Sequence, residues 1–444
     1  MALDLSQNKL YIIVGVATLL VIVLLLVLVL GRGFGSGTNT KSVSLQFWGV
    51  FDDNGLFDAA IQKYQQQHLN VSIRYKKLNF EDYEKSLLNS FASGTGPDVW
   101  LIHNTWLPKH SDKIKPLPQE EQKDTKKPLL TFKDFQDQFV DVAVKDLTLN
   151  EQIYSLPLYV DTLALYWNKD IFNSKGITAP PTNWVEFNDA VTRITEYDDS
   201  GNIRLAGAAI GTAHNINRST DILSLLLMQA GTKMTDNNNG AATFAHSVNN
   251  QPVGESALQY YTDFTNPAKQ LYTWNDSQHY SIDAFQEGKT AMMFNYSHQI
   301  GVIRTKSPRL NFDIAPVPQF PGATNLVNYA NYWSPTVSKN SPSSLEAWKF
   351  IVYLTSAEGA ISYLDTANRP AARRDLLDKQ KIDPDIGVYA TQALSARSWY
   401  QVDNQAIETI FADMINDVNF KQIKVRDALQ SAENKTSVLM RRSR

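Results

Sequence analysis

Residues 43–102 read VSLQFWGVFDDNGLFDAAIQKYQQQHLNVSIRYKKLNFEDYEKSLLNSFASGTGPDVWLI. Val43, Leu45 and Phe47 alternate with Ser44 and Gln46 as on a strand, and Leu56, Ala60, Ile61 and Tyr64 then recur at helical spacing. The alternation returns at Val71, Ile73 and Tyr75. A second helical stretch carries Phe80, Tyr83, Leu87, Leu88 and Phe91, breaks at Gly94-Thr95-Gly96-Pro97, and gives way to an apolar run over 99–102. The order β-α-β-α-β predicts a parallel sheet with right-handed crossovers and helices on its faces. Ligands of such sheets sit beyond the carboxyl ends of the strands. Those ends are residues 49–54 and 103–106, which makes both loops candidate site elements.

Outward from this segment, periodicity predicts helices over 132–147, 184–194, 220–230, 256–264 and 344–363, and strand-like runs over 154–167 and 311–317. Asp161 interrupts the first of these runs. Residues 109–128 are dense in charge and proline and read as a surface excursion. Toward the amino end, LYIIVGVATLLVIVLLLVLVL begins at Leu10 and ends at Leu30, 21 residues without a charge. A helix of that length spans roughly 31 Å, the thickness of a hydrocarbon core, so one membrane pass is expected. The run is longer than the apolar region of a cleaved signal peptide. Residues 31–41 have the composition of a flexible spacer, and the flanking charges leave the orientation open.

The chain has 444 residues and a net charge of -3, from 42 basic and 45 acidic residues, which argues against a nucleic-acid partner. With 43% hydrophobic residues it can fill a sizeable core. It has no cysteine, which removes disulfides, thiolate nucleophiles, cysteine metal sites and any cysteine-linked lipid. The seven histidines fall at no metal-ligand spacing, and neither a phosphate-binding glycine loop nor a G-x-S-x-G elbow occurs. No metal and no cofactor is expected. The adjacent Asp52 and Asp53 leave glycoside hydrolysis open, since it needs two carboxylates at a set separation. Aromatic residues next to polar ones at strand ends stand out: Trp48 near Asp52, Trp106 beside Asn104, Trp333 beside Tyr332, and Trp399 beside Tyr400. Flat apolar faces combined with carboxylates and amides suit a sugar.

The segments VSLQFWG with Asp52 and Asp53, SGTGPDVWLI at 93–102, YSLPLYVDTLALYWNKDIF at 154–172, PPTNW at 180–184, LLLMQAGT at 225–232, AFQEGKTAMMFN at 284–295, NFDIAPVP at 311–318, AWKFIVYLTSAEG at 347–359 and RPAAR at 369–373 follow one another in family order. In them the chain resembles the extracellular solute-binding proteins of family 1, the class of maltodextrin- and other sugar-binding receptors of ABC importers. The resemblance implies an α/β, two-lobed periplasmic-binding-protein-like clamp with discontinuous lobes, preceded here by one transmembrane helix. It places residues 42–156 and 301–333 in the first lobe, and 157–300 and 334–444 in the second. Residues 10–30 would anchor the chain with 1–9 in the cytoplasm and the globular part outside. The implied partners are a solute, a carbohydrate or oligosaccharide, and the permease subunits of an importer; the receptor would be a monomer and not an enzyme.

Carried over by motif, the expected ligand contacts are Trp48, Asp52 and Asp53 at the first strand, and His103, Asn104, Thr105 and Trp106 after the third. Asp161 falls at the crossover, Asn215 and Asp221 in a loop reaching the cleft, and Asn295 and His298 after AMMFN. Tyr332, Trp333, Arg369 and Trp399 complete the set. An enzyme acting on polysaccharide through Asp52, Asp53 or Asp161, and an anchored sensor or adhesin on the same fold, remain alternatives, because fold does not fix function.

Overall fold

The computed structural model describes residues 18, 19, 21, 42–120 and 126–442. The expected anchor, apart from residues 18, 19 and 21, and the expected amino-terminal and spacer segments, 1–9 and 31–41, lie outside the described residues. Among the described residues, no helix is long and apolar enough to cross a membrane.

The opening segment folds as its periodicity predicts. Val43–Val50 pairs in parallel with Val71–Leu78 on one side and with Val99–His103 on the other, and helices Asp58–Gln67 and Phe80–Ser93 form the crossovers. Trp333–Val337 adds a fourth, antiparallel strand beside Val99–His103. Phe47 is fully buried, edge-on to Phe57 at 5.0 Å and to Tyr75 at 4.9 Å. Gly49 leaves room for the Tyr75 ring, since a Cβ there would lie 2.3 Å from the Tyr75 hydroxyl. That hydroxyl donates to the backbone oxygen of Asp52 at 3.0 Å, so the core itself pins the loop that leaves the first strand.

The second lobe holds an antiparallel sheet in which Ala164–Asn168 runs between Met292–Asn295 and Phe312–Ala315. A third, short sheet joins the lobes: Asn328–Asn331 pairs antiparallel with Asp161–Thr162 and parallel with Ala396–Arg397. These are the three places where the chain crosses. Gln392 pins the first of them, donating to Thr162 Oγ1 and to the Leu163 carbonyl, both at 2.9 Å, and ties it to the second lobe by accepting from Val317 N at 2.8 Å.

Two hydrophobic cores result, and they divide the chain differently from the sequence expectation. The first draws on residues up to Val160 and then on Ala330, Tyr332, Trp333 and Val337, with Trp348, Phe350, Tyr363 and Leu377 beyond them. The second runs from Leu163 through Ile303, Ala315 and Tyr329, and resumes at Trp399, Phe411 and Leu429. Residues 301–329 therefore pack in the second lobe, and 334–393 largely in the first. The physical reason is the pairing of Trp333 with His103, which carries the chain into the first sheet. The expected helix over 344–363 is two, Ser344–Leu354 and Ala357–Ala367, whose buried faces rest on that sheet and on Asp58–Gln67.

Candidate functional site

The carboxyl ends of the first-lobe strands face the loop before helix Ser219–Gln229 and the turn after Met292–Asn295, across the short joining sheet. Asp161 sits at the centre of this arrangement. It is 1% exposed, and its carboxylate accepts from Thr162 N at 2.9 Å, Ser297 N at 3.0 Å and Ser297 Oγ at 2.6 Å. Arg369 Nη1 approaches Oδ2 at 3.4 Å. Burial raises the Asp161 pKa against the pull of Arg369. Arg369 in turn lies over the Tyr159 ring at 4.9 Å. Despite its own burial, the tyrosines Tyr159 and Tyr363 and the carboxylates of Asp161 and Asp52 hold it charged. Asp52 closes this end of the cleft, with its carboxylate accepting from Tyr363 OH at 2.9 Å and pushed up by burial.

Further along, His103 Nδ1 shares a 2.8 Å hydrogen bond with Thr105 Oγ1, and burial holds the imidazole neutral, lowering its pKa to about 3. His298, on the opposite lobe, is lowered to about 3 as well, by burial and then by Arg369 and Arg218. Asp221 accepts from Tyr296 OH at 2.7 Å, and burial raises its pKa. Helix Asn404–Asn419 closes the far side. Its Asn404 Oδ1 accepts from Trp106 Nε1 at 2.9 Å, and Asp403 pairs with Lys109 at 2.8 Å. Two cavities lie in this region, sharing Thr220, Asp221 and Glu408; one is bordered by His103, Thr105 and Asn331, and the other, about 370 Å³, by Arg218 and Asp413. Partial desolvation between these walls, together with Asp221, pushes Glu408 up to about 7.

An aromatic lip runs along the first-lobe edge. Phe51 and Phe80 stack on each other at 5.0 Å and are 47% and 51% exposed. Both meet Trp333 edge-on, at 5.9 and 6.2 Å, and Trp333 in turn meets Trp106 at 4.9 Å. Phe51 adopts a left-handed backbone, φ 65°, a conformation a bulky side chain rarely takes and one that recurs at binding sites. Flat apolar rings beside carboxylates and guanidinium groups can hold a ligand that is apolar on its face and hydroxylated at its edge.

The fold thus brings together Asp52, His103, Thr105, Trp106, Asp161, Asp221, His298, Trp333 and Arg369 of the expected residues. The others stand elsewhere. Trp48 stays on its strand under the Lys76 ammonium, 4.9 Å from the ring. Asp53 points outward in an exposed ion pair with Lys77. Asn215 is used within its lobe, donating to the carbonyls of Asn275 and Gln278 and accepting from Trp274 Nε1. Asn295 is fully buried and donates to Asn217 Oδ1. Tyr332 is buried, and its hydroxyl, with Asn104 Nδ2, donates to Asp146. Trp399 stacks on Phe411 and lines a groove of about 620 Å³ beside Asn104 and Met228, which adjoins the cleft at Thr105 and Gln401. Sequence reasoning missed Phe51, Phe80, Arg218, Asn331 and Glu408. Phe51 and Arg218 lie within loops already singled out, and their chemistry, an apolar ring and a cation in otherwise polar loops, was the available signal.

Residues 59–389 match the family model of bacterial extracellular solute-binding proteins. The maltodextrin-binding protein of Bacillus subtilis (strain 168) is 26% identical over 323 residues, 71% of this chain and 70% of that one. The multiple sugar-binding protein of Streptococcus mutans is 23% identical over 331 residues, 72% of this chain and 74% of that one. In fold, the chain superimposes on the cyclic alpha-maltosyl-1,6-maltose binding protein from Arthrobacter globiformis with a TM-score of 0.74 at 21% identity, over 90% of this chain and 100% of that one.

Proposed function

Starting from the fact that the chain belongs to the bacterial extracellular solute-binding proteins, we propose that it captures a sugar or short oligosaccharide between its lobes and delivers it to the permease subunits of an ABC importer. The observation that carries this reading is the convergence of the exposed Phe51 and Phe80 pair, backed by Trp333, with the Arg369 and Asp161 pair and with Arg218 and Asp221 in one interlobe cleft. The sugar-binding relatives and neighbours support the choice of ligand class. The three joining strands supply a hinge, and closure of two lobes about such a hinge is the motion that buries a solute. Residues 10–30 would hold the receptor at the outer face of the membrane, as a monomer.

Binding only the folded form stabilises it by RT ln(1 + [L]/Kd), about 2.7 kcal/mol at a hundredfold excess over Kd. Thermal unfolding and calorimetry with maltose, maltotetraose, mannobiose, tagatose, glucose and galactose test the reading. A raised melting point with matching heat for at least one of them is expected; silence from all of them, extended to polyols and longer glycans, overturns it. Fractionation of cells producing the full chain tests the anchor, which is refuted if the protein is recovered free of the membrane.

A further inference from the structure

Arg218 combines two unfavourable features in one residue. Its backbone is left-handed, φ 65°, and its Nε is buried without a hydrogen-bond partner. The guanidinium rests over the Tyr296 ring at 5.5 Å, and Asp221 and Glu408 act on it through space. A buried N–H without an acceptor is costly even where carboxylates offset the charge, and a left-handed non-glycine residue adds to the cost.

The loop does not take this shape by being slack. Asn217 donates from its backbone to Ser281 Oγ at 2.9 Å and from Nδ2 to Tyr280 OH at 2.8 Å, and accepts from Asn295 Nδ2 at 3.1 Å. On the other side Ser219 Oγ donates to the Ala213 carbonyl at 2.8 Å. The surroundings therefore hold the backbone of Arg218 from both sides, with its side chain on the cavity of about 370 Å³ that it shares with Thr220, Asp221, Glu408 and Asp413.

We propose that Arg218 is the anchoring donor of the cleft, its planar fork gripping two adjacent hydroxyl oxygens of a neutral saccharide. The fork geometry matches paired oxygens. Three carboxyl groups on the same cavity, Asp221, Glu408 and Asp413, disfavour an anionic ligand and accept hydrogen bonds from hydroxyl groups, which selects the neutral sugar over its uronate. This assignment rests on the sugar-binding reading above and extends it to a specificity residue.

The test compares wild type with Arg218→Gln and Arg218→Lys, using calorimetry against glucose, galactose and maltose and against glucuronate and galacturonate, and melting of the unliganded proteins. Expected are tighter binding of the neutral sugars, a loss of roughly tenfold to a hundredfold in Arg218→Gln, and a smaller loss in Arg218→Lys. Unliganded Arg218→Gln should melt below wild type, because Asp221 and Glu408 lose the cation that offsets them, whereas Arg218→Lys, which keeps the charge, should melt near wild type and still lose affinity; a merely structural role would leave the affinity of Arg218→Lys unchanged. Unchanged neutral-sugar affinity in Arg218→Gln, wild-type affinity in Arg218→Lys, or preference for the uronates each overturns the assignment while leaving the sugar-binding reading in place. A wild type that binds none of these saccharides or those of the wider panel overturns both.

Discussion

The indole Nε1 of Trp106 donates to Oδ1 of Asn404 at 2.9 Å, joining a first-lobe loop to the opening residue of a second-lobe helix. Lys109 reinforces the junction, lying 2.7 Å from Glu84 of its own lobe and 2.8 Å from Asp403 of the other. These contacts belong to the approached arrangement of the lobes, and their removal should shift the molecule toward a wider one.

Asn404→Ala removes one cross-lobe hydrogen bond with a net contribution of about 1 kcal/mol, which would raise the saccharide Kd about fivefold. Small-angle scattering should show a larger radius of gyration for the unliganded variant. An unchanged radius together with an unchanged Kd would mean that the contact does not bias closure.

Phe51→Ala and Phe80→Ala should each weaken saccharide binding by about 1 kcal/mol through loss of ring contact. Because about half of each ring is exposed, the unliganded melting points should move little. Calorimetry with either variant that returns the wild-type Kd would remove the aromatic lip from the site.

Asp161→Asn should destabilise the unliganded protein by about 3 kcal/mol, since it takes one of two carboxylates from the buried Arg369 guanidinium and weakens the bonds from Ser297. Arg369→Gln in the Asp161→Asn background should recover part of that loss. If Asp161 acted on ligand alone, chemical denaturation would find the single variant as stable as wild type.

Buried His103, with its pKa lowered to about 3, must be neutral in the folded protein, whereas the unfolded chain takes up a proton near the ordinary value of 6.5. The unfolded state then binds more protons below pH 6.5, so stability falls as pH falls from 6.5 toward 3, by about 2 kcal/mol at pH 5. Asp146, raised to about 6 by burial, acts in the opposite sense: the folded state holds its proton between 3.8 and 6, and stability falls as pH rises through that window. His298, also lowered to about 3, adds a decline of the same sense as that of His103, and Glu408, raised to about 7, adds to the opposite effect of Asp146. His103→Asn should therefore remove only the His103 share, so that its stability relative to wild type rises by about 2 kcal/mol between pH 7 and 5. A variant with the wild-type profile between pH 7 and 5 would show that His103 is protonated in the fold.

Much of this molecule was legible in the chain. The switch from a period of two to a period of about 3.6 over residues 43–102 is a local property, and it predicted the strands, the crossovers and hence the two loops at the carboxyl ends. Residues 103–106 and the neighbourhood of Asp52 followed from topology alone. The division of residues 301–396 between the lobes did not follow. The apolar faces of Ser344–Leu354, with Trp348 and Phe350, say that a sheet must cover them but not which sheet.

The same limit governed the choice of site residues. Asn215, Tyr332 and Arg218 are equally polar in the sequence, yet Trp274 and the carbonyls of Asn275 and Gln278 occupy Asn215, and Asp146, 186 residues away, occupies Tyr332. Arg218 keeps an unsatisfied Nε. Composition and periodicity established the fold of the first sheet, the absence of thiol chemistry and a cleft at the strand ends, because each depends on residue type and near neighbours. Which side chains remain available to a ligand depends on partners far away in the chain, since a side chain has a small, fixed hydrogen-bonding capacity and folding spends it on whatever it brings near.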